Sequence, residues 1–143
     1  MNHMVNRFKA IREKLVPLWL AHHEAVSRQP RRYPVPADPS SFMCRHTSIF
    51  IQRLLAAQGE IWSVVGGDIV DCSGKLHPHF WVENELIRID LTASQFGYPD
   101  EVLLTQLDDA RYKMTDRLTQ KNWTTGLNFT VSKWLAAWHA NVN

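Results

Sequence analysis

Three residues of this sequence, Cys44, His79 and Asp90, have the side chains that covalent acyl-transfer catalysis requires. A cysteine thiolate is a strong nucleophile, an imidazole carries the proton, and a carboxylate fixes the orientation of the imidazole. Such a site is defined by geometry and not by chain order. The sequence therefore predicts a Cys–His–Asp site if its secondary structure brings the three side chains together.

Cys44 is predicted to lie at the start of a buried helix. The segment 43–58 contains neither Gly nor Pro, Gly59 follows it as a terminator, and Ser40 and Ser41 are N-cap candidates. The first turn of a helix has unpaired backbone N–H groups and the positive end of the helix dipole. These features stabilise a thiolate and a developing oxyanion, so this position favours a reactive cysteine.

His79 and Asp90 are predicted to face each other across a β-hairpin. Two strand-like runs, residues 79–83 (HFWVE) and 86–91 (LIRIDL), are joined at positions 84–85. A two-residue loop there pairs residues whose numbers sum to 169, which places His79 opposite Asp90 with Cβ atoms about 4.5–5.5 Å apart. The apolar side chains then share one face. The other face carries His79, Trp81, Arg88 and Asp90.

Other residues are candidates for parts of the same site. His77 shares the face of His79 if the strand extends past Pro78, but a proline makes that extension less favourable. Trp81 and Gln95 are the candidate substrate-binding residues. Trp81 is equally compatible with a core position, and the sequence does not position Gln95, whose amide group is suited to assist an oxyanion.

Structural interpretations stand beside the catalytic one. A free cysteine is commonly a small buried core residue, and Asp90 is also compatible with a surface carboxylate that pairs with Arg88 or Lys75. A zinc site is a third interpretation, but its ligand spacing matches no Cys-x-x-Cys pattern, and we predict neither a metal nor another cofactor. The four ligands of that zinc site would be Cys44, Cys72, His77 and His79.

The segments around these residues resemble a known family. A cysteine at a helix start, the strand HFWVE from residue 79 and the run IDLT from residue 89 are similar to the transglutaminase-like branch of the papain-like cysteine enzymes. The run DLTASQFG from residue 90 is similar to small bacterial members. The resemblance covers about residues 42–96. It implies Cys44 as the nucleophile, His79 as the base and Asp90 as the orienting residue, without choosing among crosslinking, deamidation and hydrolysis.

The whole chain is predicted to form a single α+β domain of this transglutaminase-like type, with N-terminal helices packed on an antiparallel sheet. Pro17 is expected to kink or split the first helix, and Gly66-Gly67 to mark a bulge or close packing. Residues 101–114 and 131–141 are predicted to be helical. The predicted segments are an N-terminal helical segment (1–28), a Pro-rich connector (29–41), a catalytic core (42–98) and a C-terminal segment (99–143).

Composition limits the possible functions further. The chain has 143 residues, a net charge of +2 and two cysteines. Its basic residues are scattered, which argues against nucleic-acid binding, and no apolar run reaches the length of about 20 residues that spans a bilayer. The N-terminus has no signal-peptide pattern, so we predict a cytoplasmic protein, or one exported without a cleavable signal peptide, whose thiols are free.

The prediction for function is a cysteine-dependent acyl-transfer enzyme, such as an amidase, deamidase or peptidase. Its expected partner is a peptide or protein substrate, with no nucleic acid and no membrane. The absence of an evident substrate domain favours hydrolysis or deamidation over crosslinking. The main competing interpretation is a non-catalytic protein-binding module on the same fold.

Overall fold

The order of secondary-structure elements is two helices, a five-stranded sheet and a final helix. The computed structural model describes residues 2–30, 33–117 and 125–141. The sheet is antiparallel, in the order β4-β3-β2-β1-β5. This confirms the predicted α+β class, with helices packed on an antiparallel sheet. The elements are α1 (Asn2–Ser27), α2 (Cys44–Ala56), β1 (Ser63–Val70), β2 (Leu76–Glu83), β3 (Ile87–Asp90), a 3₁₀ helix (Ala93–Phe96), β4 (Leu103–Gln106), β5 (Tyr112–Arg117) and α3 (Thr125–Ala140).

Helix α1 continues through Pro17 and is not split there. A proline inside a helix costs about 3 kcal/mol. The apolar residues on both sides of it belong to one core, and each large side chain that is fully buried there contributes about 1.5–3 kcal/mol. Their combined burial outweighs the cost of the proline and keeps the helix continuous. These core residues are Phe8, Ile11, Leu15 and Trp19.

Helix α2 begins at Cys44, so the prediction that this residue lies in the first turn is confirmed. The N-cap residue is Met43, not Ser40 or Ser41, and it makes no side-chain capping bond. Ser40 instead bonds to Asp38 two residues before it. The first turn of α2 is therefore left without a side-chain cap beside Cys44.

The glycines of β1 allow the sheet to pack closely, as predicted. The pairing of β1 with β5 shifts register between Gly66 and Gly67, which is a β-bulge. A Cβ atom on Gly67 would lie 2.2 Å from the carbonyl oxygen of Lys113 and 2.9 Å from the ring of Trp81. Gly67 also pairs directly with His79 on β2. The missing side chain lets β5 and Trp81 close over this part of the sheet.

The hairpin of β2 and β3 has a register two residues away from the predicted one. Val82 pairs with Ile89 and Glu83 with Arg88, so the paired numbers sum to 171 and not 169. A two-residue slip preserves the face of every side chain, because side chains alternate with a period of two. The polar face of the hairpin is therefore the predicted one, although the opposite partners are not.

The turn of this hairpin explains the slip. The Asn84 side chain accepts hydrogen bonds from the backbone N–H groups of Leu86 and Ile87, at 2.8 and 2.9 Å. The backbone N–H of Asn84 also donates to the carbonyl of Ile87 at 3.0 Å. An asparagine that bonds in this way occupies the first position of a turn. The two-residue loop is therefore at positions 85–86 and not at 84–85.

The C-terminal part corrects one prediction and confirms another. Residues 101–114 are not helical, because β4 and the beginning of β5 occupy them and pair with β3 and β1. Strands of this kind depend on partners that are distant in sequence, which local patterns do not reveal. The predicted helix at 131–141 is confirmed as α3, which begins earlier, at Thr125.

The two faces of the sheet carry separate cores. The first core lies between the helices and one face, where Val64, Val82 and Ile89 meet residues of all three helices. The second core lies on the opposite face. It consists of Val65, Ile69, Trp81, Ala93, Leu103 and Tyr112. Within the described ranges, no helix has the length and apolarity needed to cross a membrane.

Candidate active site

His79 and Asp90 form a buried pair, which we call the inner pair. His79 Nε2 lies 2.7 Å from Asp90 Oδ2, and the two side chains are 0% and 1% exposed. In the observed register Asp90 is level with Trp81, so His79 reaches it diagonally and not directly across the hairpin. Diagonal neighbours on one face remain within reach of long side chains, which is why the predicted contact exists despite the different register.

Two residues that the sequence analysis did not identify hold Asp90 in place. The Tyr112 hydroxyl donates to Asp90 Oδ2 at 2.8 Å, and the backbone N–H of Thr92 donates to Oδ1 at 2.9 Å. The Thr92 hydroxyl donates to the same oxygen at 3.2 Å. Thr92 was detectable as an Asx-type bond two residues after an aspartate. No local signal reveals Tyr112, because it comes from β5.

These contacts make the inner pair an ion pair. Burial alone lowers the pKa of His79, but the charge and hydrogen bond of Asp90, with a smaller contribution from Cys44, outweigh it and raise this pKa to about 10. Burial raises the pKa of Asp90, but His79, Thr92 and Tyr112 together keep it below its usual value. Burial and the Asp90 charge raise the pKa of Tyr112. At neutral pH, therefore, His79 is charged, Asp90 is ionised and Tyr112 stays a donor.

Cys44 lies beside this pair at the start of α2. It is partly exposed and makes no disulfide. Its side chain is close enough to His79 to contribute to the raised pKa of the imidazole. The hydrogen bond to Asp90 is made by His79 Nε2, which leaves His79 Nδ1 for the thiol. His79 Nδ1 is buried and makes no hydrogen bond within normal limits to any described residue, so the thiol and the ring are neighbours without a formed bond.

Contacts between distant segments bring the helix start to the hairpin. The guanidinium of Arg45 lies 5.6 Å from the centre of the Phe80 ring, and these residues directly follow Cys44 and His79 in the chain. The loop before α2 is also tied to the segment after β3. There the hydroxyls of Ser40 and Ser94 are 3.2 Å apart. This packing brings the start of α2 to the hairpin, which the sequence alone did not predict.

A second His–Asp pair, which we call the outer pair, lies next to the inner one. His77 Nε2 is 2.7 Å from Asp71 Oδ2, with side-chain exposures of 32% and 16%. The His77 ring stacks on Phe96 with centroids 5.0 Å apart, and Phe96 meets the His79 ring edge-on at 4.8 Å. Hydrogen bonds from His77 and the 71–75 turn lower the pKa of Asp71.

Cys72 accompanies the outer pair. It follows Asp71 in the chain, is exposed, and donates its backbone N–H to the carbonyl of Phe96 at 3.2 Å. Each pair therefore has a cysteine near it, but only Cys44 lies at the start of a helix. The structure brings Cys44, His79 and Asp90 together and places Cys72 in the β1–β2 turn.

The two predicted substrate-binding residues both make contacts within the protein. Trp81 is 1% exposed, so it offers no surface to a substrate, and its ring nitrogen donates to Glu83 at 2.8 Å. The Gln95 amide joins two backbone segments. Its oxygen accepts from the N–H of Phe42 at 3.3 Å and its nitrogen donates to the carbonyl of Thr92 at 2.9 Å. Trp81 packs beneath the site, and Gln95 fixes the loop before Cys44.

Among the described residues, neither a metal-binding arrangement nor similarity to a known protein adds to this description of the site. In the part of the chain that the structure describes, no three His, Cys, Asp or Glu side chains are arranged to hold a metal ion, and this includes the four residues of the alternative zinc interpretation. Comparisons with protein-family models, with curated proteins and with solved structures give no significant match to this chain. The proposal for its function therefore depends on the geometry of the site.

Proposed function

We propose that this protein is a cysteine-dependent acyl-transfer enzyme of the papain-like, transglutaminase-like type, acting on a peptide or protein amide. The observation that carries the proposal is the buried His79 ring, which is charged, fixed by Asp90 through Nε2, and left with Nδ1 available beside Cys44. A nucleophile, a base and an orienting carboxylate in this arrangement are the components of covalent acyl transfer.

The proposed reaction has two steps. Cys44 reacts as a thiolate beside the charged His79 ring, which already carries a proton on Nδ1, and the thiolate attacks the amide carbon to form a tetrahedral oxyanion. The C–N bond then breaks as His79 donates that proton to the leaving ammonia or amine, which leaves a thioester on Cys44. Water, or a second amine, attacks the thioester while His79 accepts its proton, and the C–S bond breaks to release the acyl product and restore the Cys44 thiolate beside the charged His79 ring.

The start of α2 supports the oxyanion in this scheme. The N-cap residue Met43 makes no side-chain hydrogen bond, so the first backbone N–H groups of the helix are not occupied by a capping side chain. Such groups, together with the helix dipole, stabilise negative charge on an oxygen bound next to Cys44. Removal of one donor of this kind typically costs about 100- to 1,000-fold in rate.

The alternative function is a protein-binding module without catalysis, and one observation favours it. Ile61 and Leu86 are 89% and 78% exposed and border a cavity of about 620 Å³. This cavity is at the Glu83 end of β2, roughly 13 Å along the strand from His79. Exposed apolar side chains around a cavity are typical of a binding surface. This surface is separate from Cys44, so the reactivity of that thiol distinguishes the two functions.

The reactivity of the two cysteines in one chain tests the proposal. We expect iodoacetamide to label Cys44 much faster than Cys72 at about pH 6, where an ordinary thiol is mostly protonated. Peptide mass spectrometry measures both rates in the same sample. On any amide substrate, Cys44→Ala and His79→Ala abolish turnover, whereas Cys72→Ala does not. Equal slow labelling of both thiols at this pH, or full activity of Cys44→Ala, would overturn the proposal.

A further inference from the structure

Phe42 and Tyr33 form an aromatic surface next to the nucleophile. Phe42 lies two residues before Cys44 and is 60% exposed. We propose that this pair of rings is a substrate subsite that receives an apolar, preferably aromatic, side chain beside the amide under attack. The inference depends on the proposed function, because it assigns a substrate class to the same site.

The backbone of Phe42 has an energetically unfavourable conformation. Its φ angle is +67°, and it is the single described residue other than glycine with a positive φ. This conformation costs a residue with a side chain about 1–2 kcal/mol. Strained residues of this kind persist only where their surroundings fix them, and they cluster at functional sites. The strain does not serve burial here, since most of the Phe42 side chain stays exposed.

Tyr33 and His23 anchor the Phe42 ring. The centroids of the Phe42 and Tyr33 rings are 4.6 Å apart with a 43° tilt. The Tyr33 hydroxyl lies 3.0 Å from His23 Nδ1, and the other ring nitrogen of His23 lies 2.9 Å from the carbonyl of Pro39. His23 itself is fully buried. The exposed ring therefore rests on a partner that is fixed to the protein interior.

Two routes connect this surface to the catalytic residues. Along the chain, two residues span at most about 7 Å, so the backbone of Phe42 lies beside that of Cys44. Across the fold, the N–H of Phe42 donates to the Gln95 side chain, and the next residue, Phe96, packs against the His79 ring. The aromatic surface is thus linked to both the nucleophile and the base.

The chemistry of the surface defines the ligand. Two tilted rings in contact present an apolar face to which a further ring or branched aliphatic chain can pack, and an aromatic pair contributes about 0.5–1.5 kcal/mol beyond the area it buries. Side chains of phenylalanine, tyrosine and leucine fit this description. The amide that Cys44 attacks is therefore expected to carry such a residue close by.

A pair of alkylating probes tests this subsite. Iodoacetamide and N-benzyl iodoacetamide both form a thioether and release iodide, but only the second has a ring. The rate with the benzyl probe divided by the rate with iodoacetamide is measured separately at Cys44 and Cys72. We expect this ratio to be at least about fivefold higher at Cys44, corresponding to about 1 kcal/mol.

Two variants assign the preference to Phe42. Phe42→Gly removes the ring and suits the positive φ, so it does not depend on a strained backbone; we expect it to lower the ratio at Cys44 to that at Cys72. Phe129→Ala removes another exposed ring, 71% exposed on α3, and leaves the ratio unchanged. Circular dichroism melting confirms that each variant is folded.

The outcomes separate this inference from the proposed function. If Cys44 reacts rapidly with both probes but shows no benzyl preference, or keeps its preference in Phe42→Gly, the subsite is wrong and the enzyme proposal stands. If Cys44 reacts with neither probe faster than Cys72 does, the enzyme proposal fails and the subsite fails with it. A preference that Phe42→Gly removes supports both.

Discussion

The inner and outer His–Asp pairs contain the same residue types at the same distance but differ in burial and in the groups around them. Each imidazole Nε2 lies 2.7 Å from its carboxylate, and the two histidines are two residues apart on the same face of β2. The inner pair is 0% and 1% exposed, whereas the outer pair is 32% and 16% exposed. The hydrogen-bond distance alone therefore does not distinguish the two pairs.

The difference lies in what surrounds each pair. The carboxylate of the inner pair accepts further bonds from Tyr112 and Thr92. The carboxylate of the outer pair accepts from Ser73 and Lys75, which stabilises a turn. Charges in a low-dielectric interior interact strongly, while those near solvent are screened. The inner pair can therefore keep an imidazole charged and oriented, and the outer pair serves as its natural control.

The largest expected effect is on stability, in Asp90→Ala. Removing this carboxylate leaves the charge of His79 buried without a partner, and breaking a buried pair in this way costs about 3–5 kcal/mol. Asp71→Ala removes the equivalent partner at the surface and is expected to cost clearly less. Urea unfolding measures both free energies. Equal losses for the two variants would show that burial does not separate the pairs.

The second expected effect is a dependence of stability on pH. Since the pKa of His79 is raised to about 10 in the folded state, from an ordinary value near 6.5, its contribution is complete below about pH 6.5. This contribution is lost as the pH rises from about 6.5 towards 10, and amounts to a few kcal/mol. Unfolding free energies measured across this range should fall in the wild type.

His79→Gln and His77→Gln provide the comparison for this pH dependence. The first variant should show a much flatter pH profile between about pH 6.5 and 10, while the second keeps the slope of the wild type. A wild-type profile that rises over this range, or a slope that survives in His79→Gln, would contradict the assignment of the shift to the inner pair.

The smallest expected effect comes from the tyrosine beside each pair. Tyr112→Phe removes a hydrogen bond to the buried Asp90 carboxylate and should cost about 1.5–3 kcal/mol. Tyr98→Phe removes a bond to the neutral carbonyl of Val70, next to Asp71, and should cost about 0.5–1.5 kcal/mol. Thermal or urea unfolding measures the loss of stability in each variant and shows which loss is larger. A Tyr112→Phe protein as stable as the wild type would remove this residue from the support of Asp90.

Several sequence predictions hold because they depend on local features. The start of α2 at Cys44 follows from an uninterrupted segment without Gly or Pro, although the N-cap was misassigned to Ser40 or Ser41 and the helix ends at Ala56, before the predicted terminator Gly59. The shared face of His79 and Asp90 follows from strand alternation. The predicted register was wrong, but the side-chain face is insensitive to a slip of two residues, so the contact remained.

Other features lay beyond local patterns. The strands β4 and β5 replaced a predicted helix, since their hydrogen-bond partners are on β3 and β1. Trp81 was compatible with either a cleft or a core. The second core decided that it is buried, because β5 packs over it across Gly67.

By itself, the sequence determined how the three candidate residues are presented: a thiol in the first turn of a helix, and an imidazole and a carboxylate on one face of a β-hairpin. The tertiary structure alone decided that α2 begins beside His79, that Tyr112 donates to Asp90, and that the inner pair is buried while the outer pair is not. Helix ends and strand alternation are set by neighbouring residues. Burial and the approach of one element to another are set by the packing of elements that are distant in the chain, and these determine which of the two His–Asp pairs is buried beside Cys44.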